Sequence, residues 1–228
     1  MTPYYQTELG KLYHGDCLQI MPKLEPVDLV LTDPPYGINF KYESHNDSPN
    51  GYGEWIWKCI EQAEGKVVDG GMILVYQAMK NIRYLHKWFP REWRLFIAIR
   101  NFIQMMPCAM QYAVDPCVVW WKGSKKPYSR GTSSRDFHIG NTSPSSYRKG
   151  IRNAKGHPCP RPLDQIEHII YQWSPDNSII LDPFLGSGTT AIACERLNRR
   201  WIGIEIEEKY CEISAKRIEK ERSQLKLW

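Results

Sequence analysis

IILDPFLGSGTTAIACERLNRRWIGIEI, Ile179 to Ile206, decides the fold. An apolar run ends in an acid, Asp182. A turn follows from Pro183 to Gly188 and opens a helical pattern over Thr189–Leu197. A second apolar run, Trp201–Ile206, carries Glu205 at its tip. Gly186-Ser187-Gly188-Thr189-Thr190-Ala191 fits G-x-G-x-x-A, with the acid 19 residues after the first glycine. Glycines at such a turn let the main chain bend tightly and let a ligand approach it. An acid on the next strand can accept hydrogen bonds from ribose hydroxyls. The unit therefore predicts a strand–turn–helix–strand that binds an adenosine-type ligand at the strand tips. No lysine follows the glycines, so a phosphate-cradling P-loop is excluded. Asp182 suits a neighbouring ammonium better than a pyrophosphate, which favours a methionine-bearing cofactor over a dinucleotide.

Outward from this unit, strands alternate with helices. Strands are expected at Lys11–His14, Val27–Thr32, Met72–Tyr76 (after a Gly70–Gly71 turn), Trp93–Arg100 and Cys117–Trp121. Helices are expected at Leu18–Leu24, Glu54–Val68, Ile82–Phe89, Leu163–Trp173 and Glu207–Glu221. This order predicts an α/β fold, a mostly parallel doubly wound sheet covered on both faces, in one domain over residues 1–228. The 228 residues suffice for a substantial core.

One strand tip is unusual. Leu29–Phe40 reads LVLTDPPYGINF: a buried strand ends in Asp33, Pro34, Pro35 and Tyr36. A carboxylate and a rigid prolyl carbonyl supply two acceptors, because proline fixes φ near −65°. Two such acceptors can pull a delocalised exocyclic amino group toward tetrahedral geometry. Tyr36 offers a ring on which an extruded base stacks, an interaction of about 1–3 kcal/mol.

Charge is uneven. Between Lys122 and Arg161 there are ten basic residues against one acid, Asp136, a net +9 that leaves the rest of the chain at −4. Aromatic Tyr128, Phe137 and Tyr147 are interleaved. A local excess of this kind is the footprint of a polyanion, and a solvated basic loop is the plain alternative. With little periodicity, 122–161 is expected to be an insertion. Lys125, Lys126, Arg130, Arg135, Arg148, Lys149, Arg152 and Lys155 are its expected DNA contacts.

Taken together, DPPY at Asp33–Tyr36 and DPFLGSGTT at Asp182–Thr190 resemble the amino-group DNA methyltransferases, in the permuted beta-type order with the catalytic motif first. YHGDCL at Tyr13–Leu18, HPCPRP at His157–Pro162 and GIEIEEKYCEISAKRI at Gly203–Ile218 extend the resemblance over nearly the whole chain. It implies methyl transfer from S-adenosylmethionine to adenine N6 in double-stranded DNA, with a flipped-out base. The resemblance also implies that the 122–161 insertion recognises the target. Cytosine N4 is the alternative, since cytosine-N4 members often carry serine where Asp33 stands. It implies cofactor contacts at Asp16, Cys17, Asp33, His157, Arg161, Asp182, Pro183, Phe184, Gly186, Ser187, Gly188, Thr189 and Glu205. Asp16 could equally cap the following helix. A homodimer is common in such a group. Two rivals, a non-catalytic nucleic-acid-binding partner and a nicotinamide-dependent oxidoreductase, leave intact DPPY or the +9 segment unexplained. Seven cysteines without a CxxC pair predict reduced thiols in a cytoplasmic protein. Structural zinc through His157 and Cys159 lacks a second ligand pair, so no metal is expected. No apolar run reaches the roughly 20 residues of a membrane span.

Overall fold

The computed structural model describes residues 1–39, 47–100, 113–131, 134–140 and 161–225. Its strands are β1 (Tyr5–Gln6), β2 (Gly10–His14), β3 (Val27–Thr32), β4 (Val67–Tyr76), β5 (Arg94–Ile99), β6 (Val114–Trp121), β7 (Phe137–Ile139), β8 (Ile179–Asp182) and β9 (Arg200–Glu205). Its α-helices are α1 (Cys17–Ile20), α2 (Tyr52–Lys66), α3 (Leu85–Trp88), α4 (Leu163–Trp173), α5 (Thr189–Arg196) and α6 (Glu208–Leu225). Among the described residues the strands form one sheet in the order β1-β2-β9-β8-β3-β4-β6-β5-β7. The block β2-β9-β8-β3-β4 is parallel throughout, and β6 is antiparallel to both β4 and β5.

Side-chain alternation splits the core in two. Leu29, Leu31, Leu74 and Val119 point to one face and pack with Ile166, Ile169 and Ile170 of α4, with α5, and with Ile218 of α6. Val30, Ile73, Val75 and Val118 point to the other, against Ile56, Cys59, Ile60 and Ala63 of α2. Both helical sets follow the i, i+3, i+4, i+7 stripe of a half-buried helix. Burying both faces explains the consecutive apolar residues Leu29–Leu31 in β3 and Ile179–Leu181 in β8. The expected doubly wound α/β architecture is the one observed.

Three expectations need correction. β4 starts at Val67, because Gly70 and Gly71 do not end a turn. They exchange backbone hydrogen bonds with Lys122 (2.8 and 3.0 Å), and the ladder with β3 absorbs the irregularity as a register shift. The stretch read as a helix from Ile82 is a 3-10 turn, Met79–Tyr84, followed by the single turn of α3. The basic segment is not wholly a loop: β7 lies inside it and pairs parallel to β5. Three residues, FHI, are too few for a period to show. The five described cysteines are free and buried. Among the described residues no helix is long and apolar enough to cross a membrane, and no cluster of His, Cys, Asp and Glu could hold a metal ion.

Candidate active site at the ends of β3 and β8

From β3 the chain runs through α2 to β4 on one side; from β8 it runs through α5 to β9 on the other. The direction of winding therefore reverses between β3 and β8, which pair directly (Leu29 with Ile180, Val30 with Leu181). Loops leaving such a pair diverge and open a crevice at the carboxyl ends of the strands. Here the crevice is a cleft open to solvent at its mouth. Asp33, Tyr76, Arg161, Phe184, Ser187 and Thr189 are among the residues lining it.

The glycine turn is braced from several sides. Asp182 is buried, and its carboxylate accepts from Thr32 Oγ1 (2.8 Å), Thr190 Oγ1 (2.7 Å) and the Phe184 amide (3.1 Å). It ties the turn to β3 and α5, so its oxygens already hold three donors before any ammonium arrives. Burial pushes its carboxyl up to about 6 against the pull of these hydrogen bonds. Glu205 accepts from the Gly186 and Glu207 amides (2.8 Å each), and burial pushes it up to about 7. Glu205 thus holds the turn's first glycine as well as standing at the β9 tip. Gly186 and Gly188 have φ of 55° and 82°, the left-handed region where a Cβ is penalised. A Cβ on Gly188 would also lie 3.0 Å from Ser214 Oγ.

Two residues of α6 complete the brace and were not singled out by sequence. Ser214 donates to the Gly186 carbonyl (2.6 Å), and Arg217 donates to Ser187 Oγ (2.7 Å) and to its carbonyl. Burial lowers the Arg217 guanidinium to about 10. The polar pair spaced i, i+3 on an otherwise apolar helix face is the signal that could have found them. Pro183 and Gly188 are buried in the same turn, and the Thr189 hydroxyl is buried with no hydrogen-bond partner among the described residues. The Tyr76 hydroxyl, also on the cleft, is in the same condition. Unpaired buried hydroxyls are costly, and a polar ligand would satisfy them.

Asp16 caps α1, accepting from the Leu18 amide (2.9 Å), which is the capping role. The cap sits beside Glu205, since the Gly15 amide donates to the Glu205 carbonyl (2.9 Å). The Cys17 side chain is buried in the apolar layer; contact with Cys59 and burial push its thiol up. Its side chain faces the core more than the cleft.

On the β3 side, Pro34 is buried and Pro35 half-buried. The peptide after Tyr36 is clamped. Asn81 Nδ2 donates to the Tyr36 carbonyl (2.9 Å), and the buried Asp47 carboxylate accepts from the Gly37 and Ile38 amides (2.6 and 2.9 Å). Gly37 is left-handed, and a Cβ there would fall 2.5 Å from the Tyr52 ring. The Tyr36 hydroxyl donates to Asp33 Oδ1. Burial, with Asp33 alongside, holds its phenol well above the ordinary range.

Arg161, expected against the cofactor, instead grips Asp33. Its Nε and Nη2 donate to the two carboxylate oxygens (2.7 and 2.9 Å), and Nη2 also meets the Tyr36 hydroxyl. Its Nη1 pairs with Asp115 Oδ1 (2.9 Å), and the guanidinium lies 4.4 Å over the Tyr76 ring. Burial works against its charge, and Asp33, Tyr36 and Asp115 outweigh that, raising the guanidinium further above its ordinary range. A forked guanidinium matches a carboxylate in this two-point way. Asp115 escaped the sequence reading, although an acid opening an apolar strand was the available sign.

The expected DNA contacts divide. Lys125 packs against Gly70, at the edge of the sheet opposite the cleft, and Lys126 follows it into solvent. Arg130 stacks 4.3 Å over Tyr171 and pairs with Asp176 (3.0 Å) near the far end of α4. Arg135 shares a groove with Arg94 and Trp121, the first residue of β5 and the last of β6. The structure separates these four from the cleft, because β6 runs antiparallel and delivers the chain to the opposite edge. β7 then climbs back, and Gly140 bonds to the Ile99 carbonyl at the cleft edge (2.8 Å). Arg148, Lys149, Arg152, Lys155 and His157 lie outside the described residues.

Comparison with known proteins places this arrangement. Residues 27–216 match the family model N6_N4_Mtase, DNA methylase, and the chain belongs to that family. More particularly, it is 27% identical over 266 residues to the type II methyltransferase M.BamHI of Bacillus amyloliquefaciens, across 99% of this chain and 60% of that protein. Among solved structures, the M1.HpyAVI–SAM complex superposes with a TM-score of 0.68 at 25% identity, covering 91% of this chain and 99% of that one. The cytosine-N4-specific PvuII DNA methyltransferase shares the fold, with a TM-score of 0.76 at 22% identity over 97% of this chain and 93% of that one.

Proposed function

We propose that this chain transfers a methyl group from S-adenosylmethionine to the exocyclic N6 of adenine in double-stranded DNA. One observation carries the reading: the Asp33 carboxylate and the Gly186–Gly188 turn open onto one cleft at the β3–β8 junction. The cofactor supplies an electrophilic sulfonium methyl. Phe184, Ser187 and Thr189 line the space for it, and Glu205 stands on the neighbouring strand. The unpaired Thr189 and Tyr76 hydroxyls fit a ligand rich in polar atoms.

Asp33 and the Pro34 carbonyl act on the base. Each accepts one amino N–H, which localises the nitrogen lone pair and aims it into the cleft. Alignment of this kind supplies roughly 7–11 kcal/mol in favourable cases. The amino group is reachable only when the base leaves the duplex. The clamp on Tyr36 through Asn81 and Asp47 keeps the acceptors from drifting as the base enters. Asp at the first position of the motif favours adenine. Gly140 and Arg161 both stand at the cleft edge, and the sequence between them carries Arg148, Lys149, Arg152 and Lys155, a charge that suits phosphate contacts.

The test is transfer of labelled methyl from S-adenosylmethionine to unmethylated genomic DNA, followed by digestion to nucleosides. Label on N6-methyladenine is expected. Label on N4-methylcytosine would move the base assignment, and label on neither base would sink the reading.

A further inference from the structure

Asp33 is already occupied. Arg161 takes both of its oxygens and the Tyr36 hydroxyl shares one of them. A carboxylate offers about four lone-pair sites and these three donors use all but one, on Oδ2, so an incoming amino group must fit in beside Arg161 or loosen its grip. The group so loosened is a half-buried guanidinium, 14% exposed at its side chain, and leaving it unpaired is strongly unfavourable.

The remedy is in place two strands away. In the order β3-β4-β6, Asp115 near the start of β6 stands at the same edge as Asp33 at the end of β3. Arg161 spans the gap across the end of β4, its plane resting on Tyr76. Its third nitrogen, Nη1, is held by Asp115 Oδ1 at 2.9 Å. Asp115 Oδ2 faces Arg100 Nε at 3.4 Å, which turns Oδ1 toward Arg161. Two carboxylates thus share one guanidinium over a flat aromatic surface.

We propose that Asp115 is a positioning residue for methyl transfer: it retains Arg161 when the target's amino group takes over Asp33. This rests on the reading of Asp33 as the amino-group acceptor. If Asp115 loses its charge, Asp33 becomes the sole anion for Arg161 among the described residues, the pair tightens, and the base meets a closed carboxylate.

The experiment measures kcat on unmethylated genomic DNA, and S-adenosylmethionine affinity by calorimetry, for wild type, Asp115→Asn and Asp115→Ala. Expected is a fall in kcat of at least about tenfold in both variants with cofactor Kd held within about twofold. In an Arg161→Gln background, adding Asp115→Asn should cost less than about twofold more, since no charge is left to retain. A variant kcat within about twofold of wild type overturns the proposal. So does a kcat loss matched by an equal loss of cofactor affinity, which marks a merely structural acid. Wild-type protein that labels no DNA overturns the underlying reading instead, and that result is told apart by the first measurement alone.

Discussion

A carboxylate that accepts from a weakly nucleophilic amino group has no substitute among apolar side chains. Asp33→Ala should therefore lower kcat by about 10²–10³-fold, the usual scale for one preorganised electrostatic partner. Calorimetry should show S-adenosylmethionine binding largely retained; a variant with full turnover would refute the acceptor role. At Gly188 the constraint is steric. Its φ of 82° and the nearness of Ser214 make Gly188→Ala cost about 1–3 kcal/mol at the turn. Cofactor Kd should rise, and unchanged affinity would show that the turn relaxes freely. DPPY and the glycine turn were legible in the sequence because their residue types carry the chemistry themselves. The Arg161–Asp115 contact was not, since it arises only when a distant arginine folds across strand ends.

At the level of elements, the glycine turn is a joint between β8, β9 and α6. Its two buried acids give it a pH signature. The Glu205 carboxyl sits near 7 in the fold against 4.5 when exposed, so the folded chain holds its proton longer. Stability from this group is fully present below about 4.5 and is lost as pH rises through about 7. Asp182, raised from 3.8 to about 6, acts in the same direction over a lower window. Urea titrations across pH 4.5–7 should show the stability of wild type falling relative to Glu205→Gln, by on the order of 1–3 kcal/mol. A difference that is flat with pH would contradict the buried carboxyl. Element types were read well wherever burial sets a period: α4 spans Leu163–Trp173 as expected, from its stripe of isoleucines. β7 was missed because three residues pair through the backbone, independent of side-chain pattern.

For the whole molecule, the sheet's direction decides which charges lie near the cleft. The cleft edge carries Asp33, Asp182 and Glu205, while Lys125 lies at the other edge. Lys125→Gln with Lys126→Gln should leave DNA affinity within about twofold and the salt slope unchanged. Arg148→Gln with Lys149→Gln should flatten the slope of log affinity against log salt by about 2. The reverse pattern, read by fluorescence anisotropy at several salt concentrations, would return the recognition role to the far edge. Parallel order and a shared cleft followed from alternating strands and helices. The path of the basic segment did not, because it depends on β6 running antiparallel, a register choice that composition leaves open.

The bond from Thr32 to Asp182 closes a separation of 150 positions, and Ser214 braces the same turn from later still. During synthesis, β3 emerges long before its partner β8. Until then it is an apolar ribbon with one flank bare, a surface that invites chaperones or self-association. A ribosome that stalls before α6 releases a product without a braced glycine turn. Premature termination therefore yields a chain whose glycine turn lacks the Ser214 and Arg217 contacts.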